Sequence, residues 1–183
     1  MSVAAPALVI RTAASGDIPM LERLIERSAR ALSRDHYTGA QIEAAITHVF
    51  GVDSALVADG TYLVAEWDGM LAGCGGWSGR ATLFGGDRFA ARSDAMLDPA
   101  VDAARIRAFF VDEGQARRGV GRALLAACEA EAAEAGFRRA TLMATLPGEP
   151  FYATCGYRAD RASVQDCGGV AVPFVKMDKI LVA

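Results

Sequence analysis

Lysine is nearly missing from this chain: Lys176 and Lys179 stand against seventeen arginines. With 22 acidic residues the net charge is −3 and the sequence pI is about 5.4, which excludes a nucleic-acid-binding domain held by bulk positive charge. The preference for arginine accompanies heavy alanine usage and reads as a bias of genome composition. Only two histidines occur, and the four cysteines, Cys74, Cys128, Cys155 and Cys167, form no C-x-x-C pair. That scarcity argues against a metal site of zinc type and against a disulfide framework. The cysteines read as small apolar residues of a reduced, cytoplasmic protein. Long hydrophobic runs are lacking too. No stretch reaches the roughly 18 apolar residues of a membrane-spanning helix, so no membrane partner is expected. The opening residues are small but lack a basic start and a long apolar core, and residues 1–6 read as a short flexible tail.

What is present suffices for one domain over residues 1–183, with 52% apolar and 22% charged residues and no repeat or linker. Leu8 to Ala13 reads as a strand. Asp17 is an N-cap candidate, Pro19 sits in the first turn, and Ile18, Leu21, Leu24, Ile25 and Leu32 keep a helical stripe. Thr38-Gly39-Ala40-Gln41 has the capping-box pattern and opens a second helix, on which His48 lies beside the apolar stripe. Two apolar runs, Thr61 to Glu66 and Leu71 to Trp77, flank Asp68-Gly69, a hairpin signal. Residues 78–102 form an irregular excursion. Arg105 to Val111 is a strand, Gly119 to Ala135 the clearest helix, closed by Gly136, and Arg139 to Thr145 another strand. A short helix over Pro150 to Cys155 and two final strands, about Tyr157 to Gln165 and Val170 to Lys179, complete the order β-α-α-β-β-β-α-β-α-β-β. The strand–helix–strand unit at its centre requires a right-handed parallel crossover in a mixed α/β sheet.

The chemistry concentrates after the strand that ends at Val111. There a short turn leads into a helix whose first residues include Arg117, Arg118, Gly119, Gly121 and Arg122. Glycines allow close backbone approach, the free amides of the helix start point outward together, and the dipole adds positive potential. Such a turn suits a pyrophosphate, with the arginines as charged donors. The dinucleotide pattern G-x-G-x-x-G fails at Leu124, and Arg139 to Leu146 contains no ribose-binding acid. G-x-x-x-x-G-K-[ST] is absent.

A second motif follows: Phe151-Tyr152-Ala153-Thr154-Cys155-Gly156-Tyr157. The pair resembles the GNAT superfamily of acetyl-CoA-dependent N-acetyltransferases, with [QR]-x-x-G-x-[GA] after the fourth strand and then F-Y-x-x-x-G-[FY]. The second pattern is matched in full. The first position of the other falls on Ala116, flanked by Gln115 and Arg117, and Pro147 stands where many members have an Asn that touches the cofactor arm. The resemblance implies a GNAT-like fold over nearly the whole chain, acetyl-CoA as cosubstrate and no metal. It implies that Phe109, Phe110 and Val111 meet the thioester and pantetheine, and that the loop and helix start from Ala116 to Arg122, Val120 included, hold the pyrophosphate. Phe151 belongs to the same site, and Tyr152 aligns with the general acid that protonates the leaving thiolate. The phenol, with a reference pKa of about 10, suits that task; a core aromatic is the bland alternative.

No general base stands out; Glu113 through a water and direct loss to solvent are both open. Strand parity places Arg105 and Arg107 on one face with Phe109 and Val111, so they are expected either to meet an acidic acceptor or to snorkel. His36 and Tyr37 are the acceptor-side candidates in the loop between the first helices, with Trp77 and Phe84 as groove wall or core. Specificity is expected from residues 33–37, 79–99 and 166–169. The partner is a small-molecule or peptide amine, and the family's habit makes a homodimer an option. A non-catalytic acyl-CoA sensor is the alternative function.

Overall fold

The computed structural model describes residues 7–181; the tail expected over residues 1–6 lies outside them. Among the described residues, the strands are β1 (Leu8–Thr12), β2 (Tyr62–Trp67), β3 (Met70–Ser78), β4 (Ala104–Val111), β5 (Arg139–Thr145), β6 (Arg158–Cys167) and β7 (Val170–Ile180), the central ones continuous apolar runs buried on both faces. The helices are α1 (Ile18–Ser33), α2 (Gly39–His48), α3 (Ser54–Ala58), α4 (Val120–Glu134) and α5 (Glu149–Thr154). The strands form one sheet in the order β1-β2-β3-β4-β5-β7-β6. All neighbours are antiparallel except β4 and β5, which α4 connects as the expected parallel crossover.

Local chemistry accounts for most boundaries. In α2 the Thr38 hydroxyl accepts from the Gln41 amide at 3.2 Å while Gln41 Oε1 accepts from the Thr38 amide at 3.0 Å, so the capping box closes. Asp17 holds the N-cap position of α1, but its carboxylate serves elsewhere. It accepts from the Ala14 amide and pairs with Arg11, both at 2.8 Å. Asp68 and Gly69, with φ of 51° and 76°, make the tight left-handed turn that joins β2 to β3. Helix α3 was not anticipated, because five residues are too short to show a period. Its cap is nonetheless visible: the Asp53 carboxylate accepts from the Ala55 amide at 3.0 Å.

The sheet separates two cores. Leu21, Leu24 and Ile25 of α1, Ile42 and Ile46 of α2 and Leu56 of α3 pack on one face, against Tyr62, Val64, Cys74 and Phe174. Leu124, Leu125, Cys128 and Ala132 of α4 pack on the other, against Leu63, Ala65, Ile106, Leu142 and Met177. Burying each large aliphatic side chain contributes about 1.5–3 kcal/mol, which makes these faces the main driving force. Leu32, read as part of the α1 stripe, is 41% exposed at the helix end.

Candidate active site

Strands β4 and β5 pair only at Ala104–Ala140 and Arg105–Thr141, then diverge. The cause lies on the other side of β4. Its register with β3 shifts between Cys74 and Gly76, so Ala108 and Phe109 together oppose Gly75. Ala108 takes the left-handed conformation at φ 53°, and a Cβ on Gly75 would lie 2.5 Å from the Phe109 ring. The bulge therefore needs glycine opposite it, and it turns the far half of β4 away from β5. Beyond Arg105 the β5-facing edge of β4 has no strand partner, leaving backbone groups free for a ligand.

A cleft of about 850 Å³ occupies this opening. Its lining draws Phe50, Phe110 and Phe174 from the α1/α2 side of the sheet, and Phe109, Val111, Phe151 and Tyr152 from the α4/α5 side. On the latter side the start of α4 forms its floor. Arg117 at φ 64° and Gly119 at φ 88° bend the chain into the helix. Gly119 supplies no side-chain cap and the first turn carries no acid, so the leading amides have neither an intrahelical nor a capping partner. A Cβ on Gly121 would sit 3.3 Å from the Phe151 ring and 3.5 Å from Val111. Uncapped amides, glycines and the Arg117 and Arg122 side chains at the cleft fit a pyrophosphate.

A model of the acetyltransferase (GNAT) family matches residues 21–157. The chain belongs to that family. It is an acetyltransferase with acetyl-CoA as its cosubstrate. Solved structures share the fold at low identity. A GCN5-related N-acetyltransferase from Rhodopseudomonas palustris is 24% identical, with 99% of each chain covered and a TM-score of 0.70. PaiA N-acetyltransferase from Thermoplasma acidophilum, solved with coenzyme A, is 15% identical over 95% of this chain and 99% of that one, at a TM-score of 0.65. YncA from Salmonella typhimurium, with acetyl-CoA, is 17% identical over 96% and 95%, at 0.62. No curated protein matches the sequence significantly.

The acetyltransferase brings most of the cofactor-side residues singled out above to one place. Phe109, Phe110, Val111, Ala116, Arg117, Gly119, Gly121, Arg122, Phe151 and Tyr152 all line the cleft. Val120 turns its side chain into the α4 core. Arg118 leaves the cleft: its guanidinium lies 4.7 Å over the Trp67 ring and donates to Gln115 Oε1 at 2.7 Å. Tyr152 stands among Phe151, Tyr157 and Phe109, with ring centroids 5.1, 5.8 and 6.5 Å away. Burial, with smaller contributions from Cys128 and Cys155, pushes its phenol well above the ordinary tyrosine value.

The acceptor side requires corrections. Parity fails across the bulge, so Arg105 and Arg107 do not share a face with Phe109 and Val111. Arg105 lies outside the cleft lining, near Asp102 and Asp178. Arg107 borders the cleft, but its side chain is only 1% exposed. It pairs with Asp53 at 2.6 Å and donates to the Gly85 carbonyl. Asp53 also holds Arg92 at 2.8 Å. Burial lowers the Arg107 pKa, against the pull of Asp53. Tyr37 is a brace, since its hydroxyl donates to the Pro173 carbonyl at 2.7 Å and accepts from the Leu146 amide at 2.9 Å. His36 is exposed and lines the cleft. Trp77 packs on Phe137 and donates to Glu131 on α4, whereas Phe84 is a cleft wall.

Of the three expected specificity segments, the last hairpin turn does not line the cleft. Gly168 instead lies against His48, where a Cβ would come within 2.5 Å of Nε2. Phe174, farther along β7, and Phe50 border the cleft from the core, at 2% and 8% exposure. Both were legible only as core positions. Glu113 is exposed and 3.8 Å from Arg34, and Asp112 pairs with Arg27 at 2.8 Å; neither reaches the cleft.

Proposed function

We propose that the protein moves the acetyl group of acetyl-CoA directly to a primary amine, on a small molecule or a peptide. One observation carries this reading: uncapped α4 amides, the unpaired edge of β4 and the Tyr152 phenol all border the same cleft. The pyrophosphate rests on the α4 start with Arg117 and Arg122. The thioester lies along Phe109 to Val111, where backbone N–H groups receive the developing oxyanion. The amine nitrogen attacks the thioester carbon, forming a C–N bond; collapse of the tetrahedral adduct breaks the C–S bond. Tyr152 gives its proton to the departing thiolate and regains one from solvent. The proton lost by the amine leaves through water at the mouth, beside His36. An acylated amine and free CoA result.

No described residue of the cleft lining is a carboxylate, so the base is water or an imidazole. That absence also keeps the acyl-CoA sensor as a second reading. A cytoplasmic setting accords with the four free cysteines, and no helix among the described residues is long and apolar enough to cross a membrane.

Thiol release from acetyl-CoA across a panel of amines, run beside calorimetric titration of CoA, tests the reading. Amine-dependent release is expected. CoA binding without release on any amine supports the sensor, and no CoA binding overturns both.

A further inference from the structure

Resting on the transfer reading above, we propose that the acceptor is a primary amine whose remaining body is an uncharged aryl or branched-alkyl group, seated against Phe84 and Phe110, which Phe50 and Phe174 back from the core. The four rings form one packed cluster on the α1/α2 side of the sheet, in which Phe84 and Phe110 are half-buried and face the cleft while Phe50 and Phe174, 8% and 2% exposed, lie behind them. Phe50 meets Phe110 edge-on at 5.4 Å and Phe174 at 6.3 Å, while Phe84 stacks obliquely on Phe174 at 5.5 Å. Leu32 extends the apolar surface; Val49, Ser28 and Ser33 border it from buried positions.

Charge distinguishes this end from the pyrophosphate end. A polyamine or an aminoglycoside carries further ammonium groups and calls for carboxylates, yet no Asp or Glu is among the described lining residues. An acidic amino acid calls for a free cation. Arg107 is the one arginine of the lining outside the α4 start, and it is spent on Asp53 and the Gly85 carbonyl. Its Nε is buried without a partner and equally closed to a ligand. The pair has another effect. With Arg92 donating to the Gly86 carbonyl at 2.8 Å and Arg88 to Glu22 at 2.8 Å, it pins the excursion that carries Phe84. The wall is thus held in place by ion pairs that offer nothing to the substrate, and what it presents is hydrocarbon.

The test measures binding of 2-phenylethylamine, isopentylamine, spermidine, an aminoglycoside and glutamate to the CoA-loaded protein by calorimetry, with thiol release from acetyl-CoA in parallel. The first two are expected to bind on the order of 100-fold more tightly than the others, the amount that burying one aryl or branched-alkyl group supplies. Phe84→Ala should cost 2-phenylethylamine about 10-fold and spermidine nothing, with CoA affinity intact; Phe84→Leu, which keeps the surface filled, should recover most of the loss. Tighter or equal binding of spermidine, the aminoglycoside or glutamate overturns the proposal, as does an equal loss for every amine in Phe84→Ala. Turnover separates the two readings: the binding order decides the acceptor class even if no amine releases thiol, and absent release counts against transfer alone.

Discussion

The two ends of the cleft are built by different means. At the end we propose for the pyrophosphate a contiguous segment, Ala116 to Arg122, presents backbone: glycines, bent dihedrals and uncapped amides. At the end we propose for the acceptor, side chains come from four separate places: Phe84 of the excursion and Phe110 of β4 face the cleft, backed by the buried Phe50 after α2 and Phe174 of β7. Backbone recognition tolerates almost any side chain between the glycines and suits a donor common to a whole family. Recognition by converging side chains can be rebuilt one substitution at a time, and suits an acceptor that differs between members. The β4 bulge joins the two, since it resets the alternation so that Phe109 falls on the α4 side of the sheet and Phe110 on the α1/α2 side.

Asp53→Asn should separate the ends most sharply. It leaves Arg107 buried without its counter-ion and loosens Arg92, which costs about 3–5 kcal/mol for a broken buried pair. Urea unfolding should show that loss while CoA affinity of the folded protein changes less than about threefold, because the pair lies on the acceptor side. A large drop in CoA affinity would mean that the two ends fold as one unit. Gly121→Glu works in the other direction. A Cβ there already stands 3.3 Å from Phe151, and the added carboxylate opposes the pyrophosphate, so CoA binding should fall on the order of 100-fold or more. Unchanged affinity by calorimetry would place the cradle elsewhere.

The same contrast governs what the sequence could tell. Strands, the capping box of α2, the Asp68-Gly69 turn and the α4 boundaries were legible because each is written in neighbouring residues. So was the glycine- and arginine-rich turn into α4 that we propose for the pyrophosphate. The error over Arg105 and Arg107 came from counting alternation through Ala108, whose positive φ depends on Gly75 of another strand. Tyr37 as a brace and Arg107 as half of an ion pair were equally hidden, since Pro173 and Asp53 lie far off in sequence. Phe50 and Phe174 stay core aromatics, 8% and 2% exposed, and only the splay of β4 from β5 brings the cleft up to them.

Tyr152→Phe addresses chemistry rather than binding. Removing the hydroxyl should lower kcat about 100-fold and leave CoA affinity within a few-fold. Because burial raises its pKa, Tyr152 keeps its proton above the ordinary tyrosine range, so an alkaline fall in kcat due to this group begins above about pH 10. A fall that begins lower belongs to another group. Equal loss of turnover and CoA affinity in the variant would make Tyr152 a packing residue.

The smallest effect is the most discriminating for the loop itself. Arg122 lines the cleft and its long contact to Thr154 Oγ1, 3.4 Å, leaves donors available. Arg118 is held over Trp67 and by Gln115, an arrangement worth about 0.5–1 kcal/mol that it would have to give up to reach a phosphate. Arg122→Ala should therefore weaken CoA about 10-fold with a shallower salt dependence, while Arg118→Ala stays within about twofold. Equal losses in the two variants would show that Arg118 swings from Trp67 to the ligand, so that side chains as well as backbone read the pyrophosphate.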